Sequence, residues 1–311
     1  MLNDNYANFN LCLTHNSFKH VFLKNFCKML KKVLCVVTIL SSFVFYSQES
    51  TALDDPEDVY LKGREAYLNY DYEGAYELYS KYIELCPDSA KGFYSRGNSS
   101  LIMQEYNEAF DDFTKTIEID PNYYQAYSNR GVIYSYLGKP DSAIIEFLTA
   151  LEINPNDEIT LNSLGVTYAQ TDMIDEAFEY LNKAIEFEPE YSEAYRNRGS
   201  LYFFEGDNTK ALRDLDRAVE LNPYDPAVFI TRGGIYREIA KYEEAIKEFD
   251  KALELDSSNA EAYCRRGIAY LYLNKYEKAI EDMEYGLKLS PSLEQYVKNY
   301  LDEAKEKLQK K

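Results

Sequence analysis

The sequence predicts an all-α chain, an α-solenoid of seven 34-residue helix-turn-helix repeats with a capping helix at its C-terminal end. Three observations predict it. Glycine recurs every 34 residues at Gly63, Gly97, Gly131, Gly165, Gly199, Gly233 and Gly267. Alanine keeps the same register at Ala75, Ala109, Ala143, Ala177, Ala211, Ala245 and Ala279, with no insertion or deletion between copies. Each copy also holds two stretches whose apolar residues stand three and four apart, the spacing of two amphipathic helices.

In chain order, residues 1–28 precede Met29 and are expected to be an over-extended N-terminus. Residues 29–47 carry Lys31 and Lys32, an apolar run from Val33 to about Tyr46, then small polar residues, the pattern of a secretory signal peptide. The run is shorter than the roughly 20 residues of a membrane-spanning helix, so export is the leading expectation and a retained signal anchor the alternative. The exported location would be periplasmic or otherwise in a bacterial cell envelope. Membrane contact is expected only through this segment, and only if it stays uncleaved. Residues 48–55 read as a linker.

The repeats occupy 56–293, as 56–89, 90–123, 124–157, 158–191, 192–225, 226–259 and 260–293. A glycine at position 8 opposite an alanine at position 20 lets two helix backbones approach, which explains a glycine kept inside a helix that it weakens. Position 4 is always large and apolar (Val59, Phe93, Tyr127, Leu161, Tyr195, Phe229, Tyr263) and is expected to fill space beside that contact. Proline at position 32 stops the second helix in six units, and Ser257 replaces it in the sixth. One unit cannot bury its apolar face alone, so neighbours must stack. Residues 294–311 place Tyr296, Val297, Tyr300, Leu301, Ala304 and Leu308 on one helical face with charges behind, the polar-backed cap of an open array.

With these positions in place, the array resembles the tetratricopeptide repeat family in period and in its aromatic, glycine, tyrosine, alanine, aromatic and proline positions. The resemblance covers 56–293 and implies a right-handed superhelix whose concave groove is lined by first helices. Gly286, Thr116 and Tyr82 depart from the small alanine expected at position 27.

An arginine at position 7 recurs beside the glycine, and position 23 of the same units is acidic: Arg96 with Asp112, Arg130 with Glu146, Arg198 with Asp214, Arg232 with Glu248, and Arg266 with Asp282. Units without the arginine lack the acid, having Leu164 with Tyr180 and Lys62 with Leu78. In antiparallel helices matched at positions 8 and 20, positions 7 and 23 differ in height by only about 3 Å. The arginines are therefore assigned to structural ion pairs rather than to an anionic ligand.

The resemblance implies a groove lined by positions 2, 5, 6, 9, 12 and 13 of the first helices. Its candidates are Tyr60, Arg64, Tyr67, Tyr94, Asn98, Leu101, Ser128, Asn129, Asn162, Ser163, Arg196, Phe203 and Arg237, aromatic at the start and rich in amides and hydroxyls in the middle. Such a surface suits an extended peptide. Some members of the family bind a chaperone's terminal carboxylate through basic residues beside asparagines. Asn98 and Asn129 match the asparagines, but Tyr60 stands at the basic position before them and Ile159 and Ser163 at those after, so that partner is rejected.

The remaining composition excludes other classes. The net charge is −19 and the first 50 residues are net basic, so the rest is more acidic still and repels nucleic acid. The only histidines, His15 and His20, precede the leader, and Cys86 and Cys264 lie at opposite ends of the array. No triad, metal site, cofactor site or phosphate loop is expected. The expected function is a non-catalytic interaction scaffold of the cell envelope with a protein or peptide partner. The alternatives are binding of a cell-wall glycan or polysaccharide, with tyrosines as stacking platforms, and an accessory subunit of an envelope enzyme or secretion complex.

Overall fold

The computed structural model describes residues 55–310. The N-terminal extension, the leader and linker residues 48–54 lie outside the described residues, and Asp55 is the N-cap of the first helix, accepting from the Glu57 amide. Seven helix pairs follow: α1 Pro56–Leu68 and α2 Tyr72–Leu85, α3 Ala90–Ile102 and α4 Tyr106–Ile119, α5 Tyr124–Tyr136 and α6 Pro140–Ile153, α7 Glu158–Gln170 and α8 Ile174–Phe187. Then come α9 Ser192–Phe204 and α10 Asn208–Leu221, α11 Pro226–Glu238 and α12 Tyr242–Leu255, and α13 Ala260–Tyr272 and α14 Tyr276–Leu289. A 3-10 turn, Pro291–Leu293, leads into α15, Glu294–Gln309. Each first helix packs on its own second helix, each second helix on the next first helix, and α5, α7, α9, α11 and α13 touch in succession to form one layer of an α-solenoid. Among the described residues no helix is long and apolar enough to cross a membrane.

The turn inside each pair is the same device seven times. Position 15 adopts a positive φ in every repeat, in Tyr70, Gln104, Asp172, Ala240 and Asn274 as well as in Gly138 and Gly206. Its amide donates to the carbonyl of position 12, and the next amide donates to position 11, as in Gly138 to Ser135 and Lys139 to Tyr134. Two otherwise orphaned carbonyls are thereby satisfied at each helix end. Side chains other than glycine are strained there. Ala240 has φ +56°; Ala240→Gly is expected to raise stability by about 0.5–1 kcal/mol and Gly206→Ala to lower it by about 1 kcal/mol, read as shifts of the urea midpoint.

The position-8 glycines meet more than the opposing alanine. A Cβ on Gly165, Gly199 or Gly267 would lie 3.2, 3.2 or 2.9 Å from the carbonyl oxygen of Ala177, Ala211 or Ala279. In each repeat it would also meet the position-24 side chain, at 2.9 Å for Tyr79 and Phe113 and 2.6 Å for Phe249. All seven position-20 alanines are wholly buried, and Phe113, Phe147, Leu181, Leu215, Phe249 and Met283 at position 24 are among the largest fully buried side chains. Between repeats, Tyr82 fits at position 27 because Gly92 faces it, where a Cβ would come within 2.8 Å of its ring. At Ser257 the Asp256 carboxylate braces the turn, accepting from the Ser258 amide and hydroxyl and from Asn259.

The helix α15 seals the last repeat by burying Val297 and Ala304 against the cluster of Cys264, Ile268, Leu271 and Met283, with Tyr300 and Leu301 beside them. Tyr296 departs from the sequence expectation. It stands 37% exposed and turns away from this seal, toward the first-helix layer.

Candidate functional site

The arginines at position 7 are held in place on three sides. Arg96 Nε and Nη2 donate to the two Asp112 carboxylate oxygens at 2.8 and 2.7 Å, and its Nη1 donates to Ser80 Oγ of the preceding repeat at 3.3 Å. Arg130 likewise grips Glu146 and reaches back to Thr114, Arg198 grips Asp214 and reaches Asn182, Arg232 grips Glu248 and reaches Asp216, and Arg266 grips Asp282 and reaches Asp250. Each guanidinium thus joins two helices of its own repeat to the second helix of the repeat before it. The position-4 ring lies beneath it, 5.6 Å from Arg96 in Phe93 and 5.3 Å from Arg266 in Tyr263. Hydrogen bonds to Asp112 and Asp282 raise the Arg96 and Arg266 pKa values above the ordinary arginine value, and burial pushes the Glu248 carboxyl up against the pull of Arg232.

The one interior gap in this ladder is built from a different chemistry. In the fourth repeat Leu164 is fully buried and packs in one cluster with Leu148, at the reach-back position, Tyr180, at the acid position, and Leu161, at position 4. An apolar set has replaced an ionic one at every contact. In the first repeat Lys62, at the arginine position, pairs with Asp58.

The predicted groove residues separate into three groups. Several belong to the wall between repeats. Ser128 and Asn162 are only 5% and 8% exposed, Ser128 accepting from Thr160 at 2.8 Å and Asn162 from Asn197 at 2.8 Å. Ser128 is therefore corrected from free groove surface to an internal contact, whereas Asn162 borders open space with its amide oxygen committed to the next first helix. Tyr60 and Tyr94 stand at the same position. The Tyr60 hydroxyl bonds Ser95 at 3.1 Å with Lys91 Nζ 4.3 Å over the ring, and Tyr94 packs on Tyr123 and Phe113, burial raising its pKa. Asn129 donates to Asn98 at 2.7 Å, so the amides that matched a carboxylate clamp spend their bond on each other.

A second group lies at the ends. Tyr67 packs edge-on against Tyr72 at 5.3 Å, Leu101 is half-buried among the second-repeat core, and Arg64 is exposed. Arg237 Nη1 donates to the Tyr296 hydroxyl at 2.9 Å, and the Arg265 guanidinium lies 5.6 Å from the same ring. The capping helix therefore reaches α11 and α13 through Tyr296. Phe203, mid-array, packs against the cluster of Ala211, Leu215, Val228 and Ile235.

The third group lines open space. Two adjoining cavities of about 380 and 270 Å³ run across α5, α7 and α9 and share Val166, Gln170 and Asn197. The first is walled by Val132, Ser135, Tyr136, Ser163 and Arg196, the second by Ala169, Ser200, Leu201 and Phe204. Tyr136 and Phe204, both at position 13, are 66% and 71% exposed at the rim. Arg196 Nε stands 3.0 Å from Asp225 Oδ2, leaving one cation fixed at the edge. Of the predicted residues, Ser163, Asn162 and Arg196 border this trough. Tyr136, Gln170 and Phe204 are not among the named candidates, although position 13 belongs to the groove that the resemblance implies. Among the described residues no group of three or more His, Cys, Asp or Glu side chains is placed to hold a metal ion.

Tetratricopeptide repeat family profiles match residues 124–157, 160–191, 192–225 and 260–293, and a TPR repeat profile matches 233–273, together more than half of the chain. The chain belongs to the tetratricopeptide repeat family. Its first two repeats, outside the matched spans, form the same tetratricopeptide helix pairs. Among solved structures this tetratricopeptide array is similar to Cut9-Hcn1 of the APC/C hetero-tetramer, with TM-score 0.68, 21% identity and coverage of 80% of this chain and 46% of that one. It therefore spans about half the length of that protein. It is also similar to a tetratricopeptide repeat protein from Parabacteroides merdae, with TM-score 0.63, 19% identity and coverage of 80% and 98%, and to Pseudomonas aeruginosa pilF, with TM-score 0.56, 20% identity and coverage of 71% and 97%. At these identities the likeness is one of fold. No curated protein matches the chain.

Proposed function

We propose that this tetratricopeptide protein is a non-catalytic protein–protein interaction scaffold of the cell envelope that holds an extended peptide segment in the trough over α5, α7 and α9. One observation carries the reading: apolar lining residues Val132, Val166, Ala169 and Leu201 run across three repeats, and Tyr136 and Phe204 stand exposed beside them. An extended apolar surface with a few fixed polar groups matches the way peptides dock in grooves, aromatic side chains holding apolar residues while amides meet the peptide backbone. Gln170, Asn197 and Ser163 stand where those backbone contacts would fall. Export is supported by the lysine pair and apolar run of residues 29–47.

Selection of a displayed random-peptide library on the wild-type protein tests the reading. Enriched peptides should carry spaced apolar side chains and should bind Phe204→Asp at least about tenfold more weakly, the loss expected of an interface anchor. Binding confined to a panel of cell-wall glycans, with no enriched peptide, would instead favour the glycan alternative and sink this one.

A further inference from the structure

The fifth repeat departs from the rest of this acidic chain on the side away from the trough. A cavity of about 500 Å³ there is lined by Tyr195, Arg198 and Tyr202 of α9 and by Lys210, Arg213, Asp214 and Arg217 of α10. On α9 these are positions 4, 7 and 11, whereas the trough uses Asn197, Ser200 and Phe204; at about 100° per residue the two sets lie on opposite sides of the helix. From this cavity we infer that the fifth repeat carries a second site, for a multivalent phosphate-type oxyanion.

Asp214, the one carboxylate lining the cavity, is committed to Arg198, whose fork donates to both its oxygens at 2.7 and 2.9 Å, which leaves Lys210, Arg213 and Arg217 as the cations for a ligand. Lys210 and Arg217 have partners in Asp207 and Glu220, but both pairs are surface contacts three residues apart, which hold a cation weakly. Arg213 is exposed and pairs with no carboxylate among the described residues. The corresponding second-helix positions are Glu108, Asp111 and Lys115 in the second repeat and Glu176, Glu179 and Lys183 in the fourth, so the threefold positive set is peculiar to the fifth. Tyr202 supports Lys210, whose Nζ lies 5.1 Å from the ring, and Tyr195 supports Arg198 at 5.6 Å. A carboxylate satisfies one planar guanidinium fork, whereas three cations spaced three and four residues apart on one face of α10 suit the several outward oxygens of a phosphate. The site is independent of the peptide trough.

Calorimetric titration of the whole protein with inorganic pyrophosphate and, separately, with O-phosphoserine tests the inference, with sodium chloride at matched ionic strength as the control. Saturable binding of either is expected, weakened about tenfold or more by Arg213→Glu and by Arg217→Glu and unchanged by Val166→Asp in the trough. The tighter of the two probes distinguishes a free phosphate ligand from one carried on a side chain. Arg213 is exposed, so Arg213→Glu should keep the wild-type melting temperature. Heat effects reproduced by sodium chloride, or affinities unmoved in both charge-reversal variants, would overturn the site.

Discussion

Replacing Phe147 by alanine is expected to lower the stability of the array by about 3–5 kcal/mol, the range for emptying a buried aromatic site. Phe147 is 1% exposed, and its ring covers Gly131 so closely that a Cβ there would come within 2.7 Å of it. Gly131→Ala alone should cost about 1–3 kcal/mol through overpacking, set against roughly 1 kcal/mol gained in helix propensity. Together the two changes should cost less than their sum, because the three nearest atoms to the new Cβ all belong to the ring that has been removed. Denaturant unfolding of the four proteins measures this. Strict additivity would mean that the ring is not what holds the glycine position empty.

Arg130→Leu is expected to cost a further, separate amount of about 3–5 kcal/mol, because it strands the Glu146 carboxylate in a site where its side chain is only 14% exposed. It also leaves Thr114 of the preceding repeat without its guanidinium partner. The fourth repeat supplies the compensation. Adding Glu146→Tyr, Thr114→Leu and Tyr127→Leu copies the set Tyr180, Leu148 and Leu161 that surrounds Leu164, and should restore most of the loss. The coupling between contacting members should be about 0.5–3 kcal/mol. Added salt should change the Arg130→Leu penalty little, since a largely buried pair is poorly screened. A full transplant no more stable than Arg130→Leu alone would refute the idea that these positions act as one unit.

The helix pairs and their order were legible in the sequence because glycine, alanine and proline mark three steric necessities, each repeated in strict register. The exchange of Arg198 with Asp214 for Leu164 with Tyr180 was legible for the same reason: a buried charge and its partner have to change together. The third contact of each arginine is not visible in the sequence, because Ser80, Thr114, Asn182, Asp216 and Asp250 have no single residue type in common and belong to the previous repeat. The positive φ at Tyr70 and Ala240 was hidden too, since the tertiary packing of the helix pair imposes it on residues that do not favour it.

The groove is less legible in the sequence than the scaffold. A small polar residue such as Ser128 looks the same in sequence whether it faces solvent or the next helix, and the difference depends on the rotation of one repeat against its neighbour. Tyr296 illustrates a second blind spot, because its contact with Arg237 spans the array rather than one helix face. The trough over α5, α7 and α9 emerges from the shape that these rotations leave open.

The first helices carry an arginine edge that builds the solenoid and, on the proposed function, a trough that receives a partner, and one comparison tests that division directly. Fluorescence anisotropy of a peptide selected on the wild-type protein would be measured against Val166→Asp and against the four-residue transplant at Arg130, each shown by circular dichroism to keep its helices. The predicted result is a loss of at least about tenfold for Val166→Asp and a change within about twofold for the transplant. A peptide that tolerates Val166→Asp but is lost on replacing Arg130 and its partners would contradict the account and make the arginines, after all, the ligand-holding residues.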